Sequence, residues 1–150
     1  MKQYISNSYE ETQALAASLA QRLPLPAVIG YIGDLGAGKT AFTAGFVKGM
    51  GIDAQVSSPT FALCNEYIGN GCRACHYDMY RVETWDDLVT TGYFDALDSG
   101  ATLLVEWSEN IYHALPEDAL IVRIQKTGEN TRQITVMNKE EANRELDIID

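Results

Sequence analysis

The run Gly33-Asp34-Leu35-Gly36-Ala37-Gly38-Lys39-Thr40 follows the pattern GxxxxGK[ST]. At that spacing glycines let main-chain N–H groups turn inward around phosphate oxygens, the lysine reaches the outer phosphates, and the hydroxyl can hold Mg²⁺. Such a cation also needs a carboxylate from the end of a neighbouring buried strand, and Glu106, which closes Thr102-Leu103-Leu104-Val105, is the candidate. A second constellation, Cys72-Arg73-Ala74-Cys75-His76, has the spacing of covalent haem attachment and, with Cys64, could suggest zinc. Haem attachment needs an exported, oxidising setting, and the N-terminal residues lack a basic-then-apolar signal order. On a strand, Cys72 and Cys75 would point to opposite faces, so the cysteines read as reduced thiols packed as small apolar groups.

A phosphate-binding turn works when a buried strand delivers it and a helix leaves it. Residues 27–32 are short, apolar and β-branched, as a strand buried on both faces should be, and residues 39–50 form an apolar helical stretch closed by Gly51. Upstream, residues 2–6 predict a strand, and Ser8 with Glu11 has capping-box spacing before Leu15, Leu19 and Leu23, so a helix should run to Pro24. Residues 61–68 and a second run through Asp78 predict a hairpin about Gly69-Asn70-Gly71. Thr84 with Asp87 caps a short helix, 102–106 is a buried strand, 119–125 and 132–137 are strands, and 139–146 is helical.

The chain has 150 residues, 46% hydrophobic and 21% charged, which suits one domain able to bury roughly 70% of its unfolded surface. No apolar run approaches the ~20 residues a membrane span requires, so a cytoplasmic protein is expected. The net charge of −10 disfavours direct binding of nucleic acid while leaving room for polyphosphate at a local site. The expected fold class is α/β: a single P-loop NTPase-like domain over residues 1–150, with a mixed parallel and antiparallel sheet and flanking helices.

Four segments, GDLGAGKT (33–40), SPTF (58–61), HYDMYR (76–81) and LLVEW (103–107), stand in the order and approximate spacing of the bacterial TsaE (YjeE) family, which this chain resembles along essentially its whole length. The resemblance implies a small P-loop ATPase required to make threonylcarbamoyladenosine at position 37 of tRNA, acting with the TsaD and TsaB proteins. It implies that Gly33, Gly36, Ala37, Gly38, Lys39, Thr40 and Ala41 wrap the phosphates of ATP and that Thr40 and Glu106 hold Mg²⁺. It further implies that Asp78 lies beside the γ-phosphate as a base or water-orienting group, that Thr60 senses the γ-phosphate, that Arg132 lies near the nucleotide, and that Tyr9 approaches the base. Asn65 replaces the family's usual acid and Met79 its usual leucine.

Other roles stay open beside these. Asp78 could be a turn residue, His76 reads as a satisfied structural histidine, Trp107 as a packing residue, and Tyr80 and Arg81 as loop anchors or partner contacts. With no arginine finger evident in the loop region, turnover by the lone chain should be slow. The competing functions are a small-molecule or nucleoside kinase sharing the P-loop, and an ATP-gated binding module that does not hydrolyse.

Overall fold

The computed structural model describes residues 1–33, 38–59 and 63–146. Gly36, Ala37 and Thr60 therefore lie outside the described residues. Seven strands, β1 (Lys2–Ser6), β2 (Val28–Gly33), β3 (Cys64–Gly69), β4 (Cys72–Asp78), β5 (Thr102–Glu106), β6 (Leu120–Lys126) and β7 (Arg132–Asn138), form one sheet in the order β1-β7-β6-β2-β5-β4-β3. β2 pairs in parallel with β5 and β6, and β5 with β4, while the β1–β7, β7–β6 and β4–β3 pairs are antiparallel. Because β2 is central, its alternating side chains enter both cores, which explains an apolar run without polar alternation.

Helices α1 (Tyr9–Arg22) and α2 (Lys39–Gly49) cover one face, where Phe42 and Phe46 pack with Ile29, Tyr31 and Leu104. A Cβ on Gly45 would sit 2.2 Å from the Gln13 carbonyl oxygen, and one on Gly49 would sit 2.5 Å from that of Ala17, so the two helices meet main chain to main chain. The opposite face is covered by α3 (Trp85–Thr90), α4 (Tyr93–Asp98), the 3₁₀ segment Ser108–Ala114 and α5 (Lys139–Leu146), which pack over Leu103, Val105 and Ile121.

The local signals fold as their chemistry dictates. The Ser8 hydroxyl accepts the Glu11 N–H at 3.1 Å and the Glu11 carboxylate accepts the Asn7 N–H at 2.8 Å, capping α1. Asn70 and Gly71 take φ of 51° and 71° at the hairpin tip. Two elements, α4 and the 3₁₀ segment, go beyond the sequence expectation; of the strand expected from residue 61, β3 covers Cys64–Gly69, and Phe61 and Ala62 lie outside the described residues. Among the described residues no helix is long and apolar enough to cross a membrane.

Candidate functional site

β2 ends at Gly33 with φ of 147°, where a Cβ would stand 2.4 Å from the Ile124 carbonyl oxygen of β6, so the chain can leave the sheet here only through a glycine. Helix α2 begins at Lys39. Gly38, the residue before α2, has φ of 113°, and no side chain among the described residues caps the first-turn N–H groups, which leaves donors and a positive dipole end for an anion. Lys39 is buried, with Nζ 5.7 Å from the centroid of the Trp107 ring. Trp107 follows Glu106 directly and takes φ of 57°, an uncommon conformation for a bulky residue. Its ring also meets that of Tyr80 at 4.8 Å.

The parallel register of β4 and β5 sets Asp78 opposite Glu106 at the carboxyl ends of both strands. By strand alternation these two side chains lie on the face that α2 covers, as does His76. The Met79 N–H donates to the Glu106 carbonyl at 3.0 Å, and the Tyr80 N–H donates to Asp78 Oδ1 at 2.9 Å, so Asp78 also holds the turn that follows it. Asn110 closes that turn from the 3₁₀ segment, its Nδ2 donating to the carbonyls of Met79 (2.9 Å) and Tyr80 (3.3 Å). Sequence reading missed Asn110, because a polar residue in a short 3₁₀ turn carries no period.

His76 corrects an expectation. It is fully buried, but it is not satisfied: Nδ1 has no hydrogen-bond partner among the described residues, and Nε2 stands 2.6 Å from Glu106 Oε2 without the alignment of a hydrogen bond. Glu106 is itself buried, and Oε2 lacks an aligned donor among the described residues. An unpaired carboxylate oxygen at low exposure is costly and fits a cation. Among the described residues no group of three or more His, Cys, Asp or Glu side chains forms a metal cage. A divalent ion here would rest on one carboxylate, the half-buried Thr40 hydroxyl and oxygens of a nucleotide, which is the habit of Mg²⁺. Glu109, within reach of the Lys39 charge, has its carboxyl pushed up by desolvation, against the pull of Lys39.

Tyr9, Gly38, Ala41 and Arg132 come together from distant parts of the chain. Pairing of β1 with β7 puts Ser6 opposite Arg132, and the start of α1 then faces the start of α2 across a cleft of about 440 Å³ that these four residues line with Ser8 and Asn130. Arg132 Nη1 donates to the Thr131 carbonyl at 2.9 Å, and Nε lies 3.9 Å from where a Gly38 Cβ would be. At the far edge of the sheet, Ser57 is tied to β3: its N–H donates to the Tyr67 hydroxyl at 3.3 Å, and Asn65 Nδ2 donates to its carbonyl at 3.2 Å. An ionised acid at position 65 would have no proton to donate there.

The cysteines are free, and Cys72 and Cys75 enter opposite cores, as strand alternation requires. Cys64 and Cys75 share a face. The neighbouring Cys64 thiol lowers the pKa of Cys75, against the effect of burial, while that of Cys64 is driven up.

The central parallel strands, with a glycine-rich sequence between β2 and α2 and acids at neighbouring strand ends, define a P-loop NTPase-like fold. The crystal structure of Bacillus subtilis YdiB superposes with a TM-score of 0.73 at 33% identity, covering 97% of this chain and 93% of that one. The family model of threonylcarbamoyl adenosine biosynthesis protein TsaE matches residues 6–134, and the chain belongs to the TsaE family. Curated relatives carry the name tRNA threonylcarbamoyladenosine biosynthesis protein TsaE: that of Bacillus subtilis (strain 168) is 39% identical over 126 residues, covering 84% of this chain and 78% of its own. That of Rickettsia conorii is 36% identical over 146 residues, 96% of this chain and 83% of its own.

Proposed function

We propose that this chain serves tRNA threonylcarbamoyladenosine biosynthesis as a cytoplasmic, Mg²⁺-dependent ATPase that acts through the TsaD and TsaB proteins. One observation carries the reading: a buried, incompletely partnered Glu106 stands at the strand ends beside Asp78, on the face from which a helix start without a side-chain cap presents Lys39.

In this reading the residues Gly33, Gly36, Ala37, Gly38, Lys39, Thr40 and Ala41 hold the phosphates, with Lys39 neutralising charge on the transferring group. Mg²⁺, when bound to Thr40 and Glu106, would supply further charge neutralisation at the phosphates. Asp78 keeps one oxygen on the Tyr80 N–H, which fixes its carboxylate so that it can orient or deprotonate a water. Tyr9 and Arg132 line the cleft suited to the base and sugar. Thr60 would sense the γ-phosphate, and the tie of Ser57 to β3 would give that loop a fixed root from which ordering and release are passed to a partner. The net charge of −10 favours protein partners over direct contact with tRNA.

Calorimetric titration with ATP and Mg²⁺, followed by phosphate release, tests the reading. Saturable heat and slow release are expected; titration with no saturable heat overturns it. Reconstitution of threonylcarbamoyl transfer with TsaD and TsaB should then require this chain.

A further inference from the structure

We propose that His76 is a positioning residue for Glu106: from the buried middle of the sheet its Nε2 abuts the Glu106 carboxylate and limits the orientations that carboxylate takes at the strand end. The inference rests on the reading of Glu106 as a magnesium ligand and adds a residue to it.

The two side chains come from adjacent parallel strands and lie two positions apart in register, since His76 pairs with Leu104 and Asp78 with Glu106. They share a sheet face, which brings Nε2 and Oε2 to 2.6 Å. A carboxylate oxygen can only accept, so a hydrogen bond across this contact, which is out of alignment here, would need the proton on Nε2. The imidazole has no room to follow solvent: it is wholly buried, with Asn65 opposite it on β3. A histidine retained for core stability would have both ring nitrogens partnered, whereas His76 leaves Nδ1 without a partner among the described residues and directs its other nitrogen at a carboxylate. Carboxylates that bind metal are commonly held by such a neighbour, and its loss weakens the metal about 10–100-fold.

The test uses Mn²⁺ as the probe cation, read by its electron paramagnetic resonance signal in the presence of ADP, with ADP binding in EDTA as a metal-free reference. His76→Ala should weaken Mn²⁺ by about 10–100-fold while leaving metal-free ADP binding unchanged, and His76→Gln, whose amide nitrogen can stand near Nε2, should restore most of the loss. Wild-type Mn²⁺ affinity in His76→Ala overturns the inference, as does an equal loss of ADP binding in EDTA.

Should His76→Ala fail to fold, the wild-type protein supplies a second measurement. With two histidines in the chain, long-range ¹H–¹⁵N spectra can identify His76 directly. The Nε2–H tautomer is expected, with resonances that move in Glu106→Gln; the Nδ1–H tautomer, or resonances indifferent to that substitution, overturns the inference. Glu106→Gln separates the two layers: if it leaves Mn²⁺ affinity at the wild-type value, the reading of Glu106 fails and the inference falls with it.

Discussion

Two buried charged groups sit on opposite sides of the sheet, and they are finished to different degrees. Lys139, at the start of α5, donates from Nζ to the Leu115 carbonyl at 3.2 Å and lies 5.0 Å from the centre of the Tyr112 ring. The Tyr112 hydroxyl in turn stands 3.0 Å from the Lys139 carbonyl oxygen and 2.7 Å from Asn143 Oδ1. Glu106 is about as buried, yet its Oε2 meets a histidine nitrogen out of alignment. Burial penalises an ion unless its partners are complete. The fuller set is architecture, and the sparser one, at the strand ends on the face of α2, is where the proposed magnesium site falls.

Glu106→Gln tests the contrast most severely. Phosphate release should fall about a thousandfold, while thermal unfolding shifts little because a neutral amide replaces an under-paired buried carboxylate. A large loss of stability would place Glu106 in the same class as Lys139. Asp78→Asn should lower phosphate release about a hundredfold with ATP binding retained on calorimetry, since the amide oxygen can still accept from Tyr80. Retained turnover would reduce Asp78 to a turn residue.

Lys139→Met reverses the pattern: about 2 kcal/mol of stability should be lost, read by denaturant unfolding, and nucleotide binding should be unchanged. The smallest effect belongs to a surface acid whose partners are complete. The N–H groups of Glu83 and Thr84 hold the Asp87 carboxylate below its ordinary value of 3.8. Its cap on α3 is therefore fully present above that value and is lost as pH falls through the lower, folded one. Carbon-detected titration of Asp87, with amide exchange in α3 on either side of the transition, should follow this sign, and Asp87→Asn should remove the pH dependence.

The contrast also explains what could be read from the chain alone. Gly33, Lys39 and the apolar run of β2 mark the segment proposed to hold phosphate, because its residues are contiguous in the chain. Glu106 could be suspected because it closes a short apolar run. The helix α3 is six residues long and is legible through Thr84 and Asp87, whereas α4, of equal length, starts behind Gly92, which has no side chain to cap it, and leaves no such mark. The approach of Tyr9 to Arg132 is a product of β1 pairing with β7, which no local pattern encodes; the family resemblance names each residue singly. His76 was misjudged for a related reason: whether a histidine is satisfied depends on the neighbouring strand, and the sequence does not print strand order.

The glycine contacts between α1 and α2 reach further than packing. Any residue larger than glycine at 45 or 49 would drive a carbon into the main chain of α1, so the backbones of the two helices bear on each other directly and cannot slide as side chains would allow. Tyr9 opens one helix and Lys39 the other. The span between them is set by backbone against backbone, like the jaws of a calliper locked at one setting, and a nucleotide bound as proposed would be measured by it.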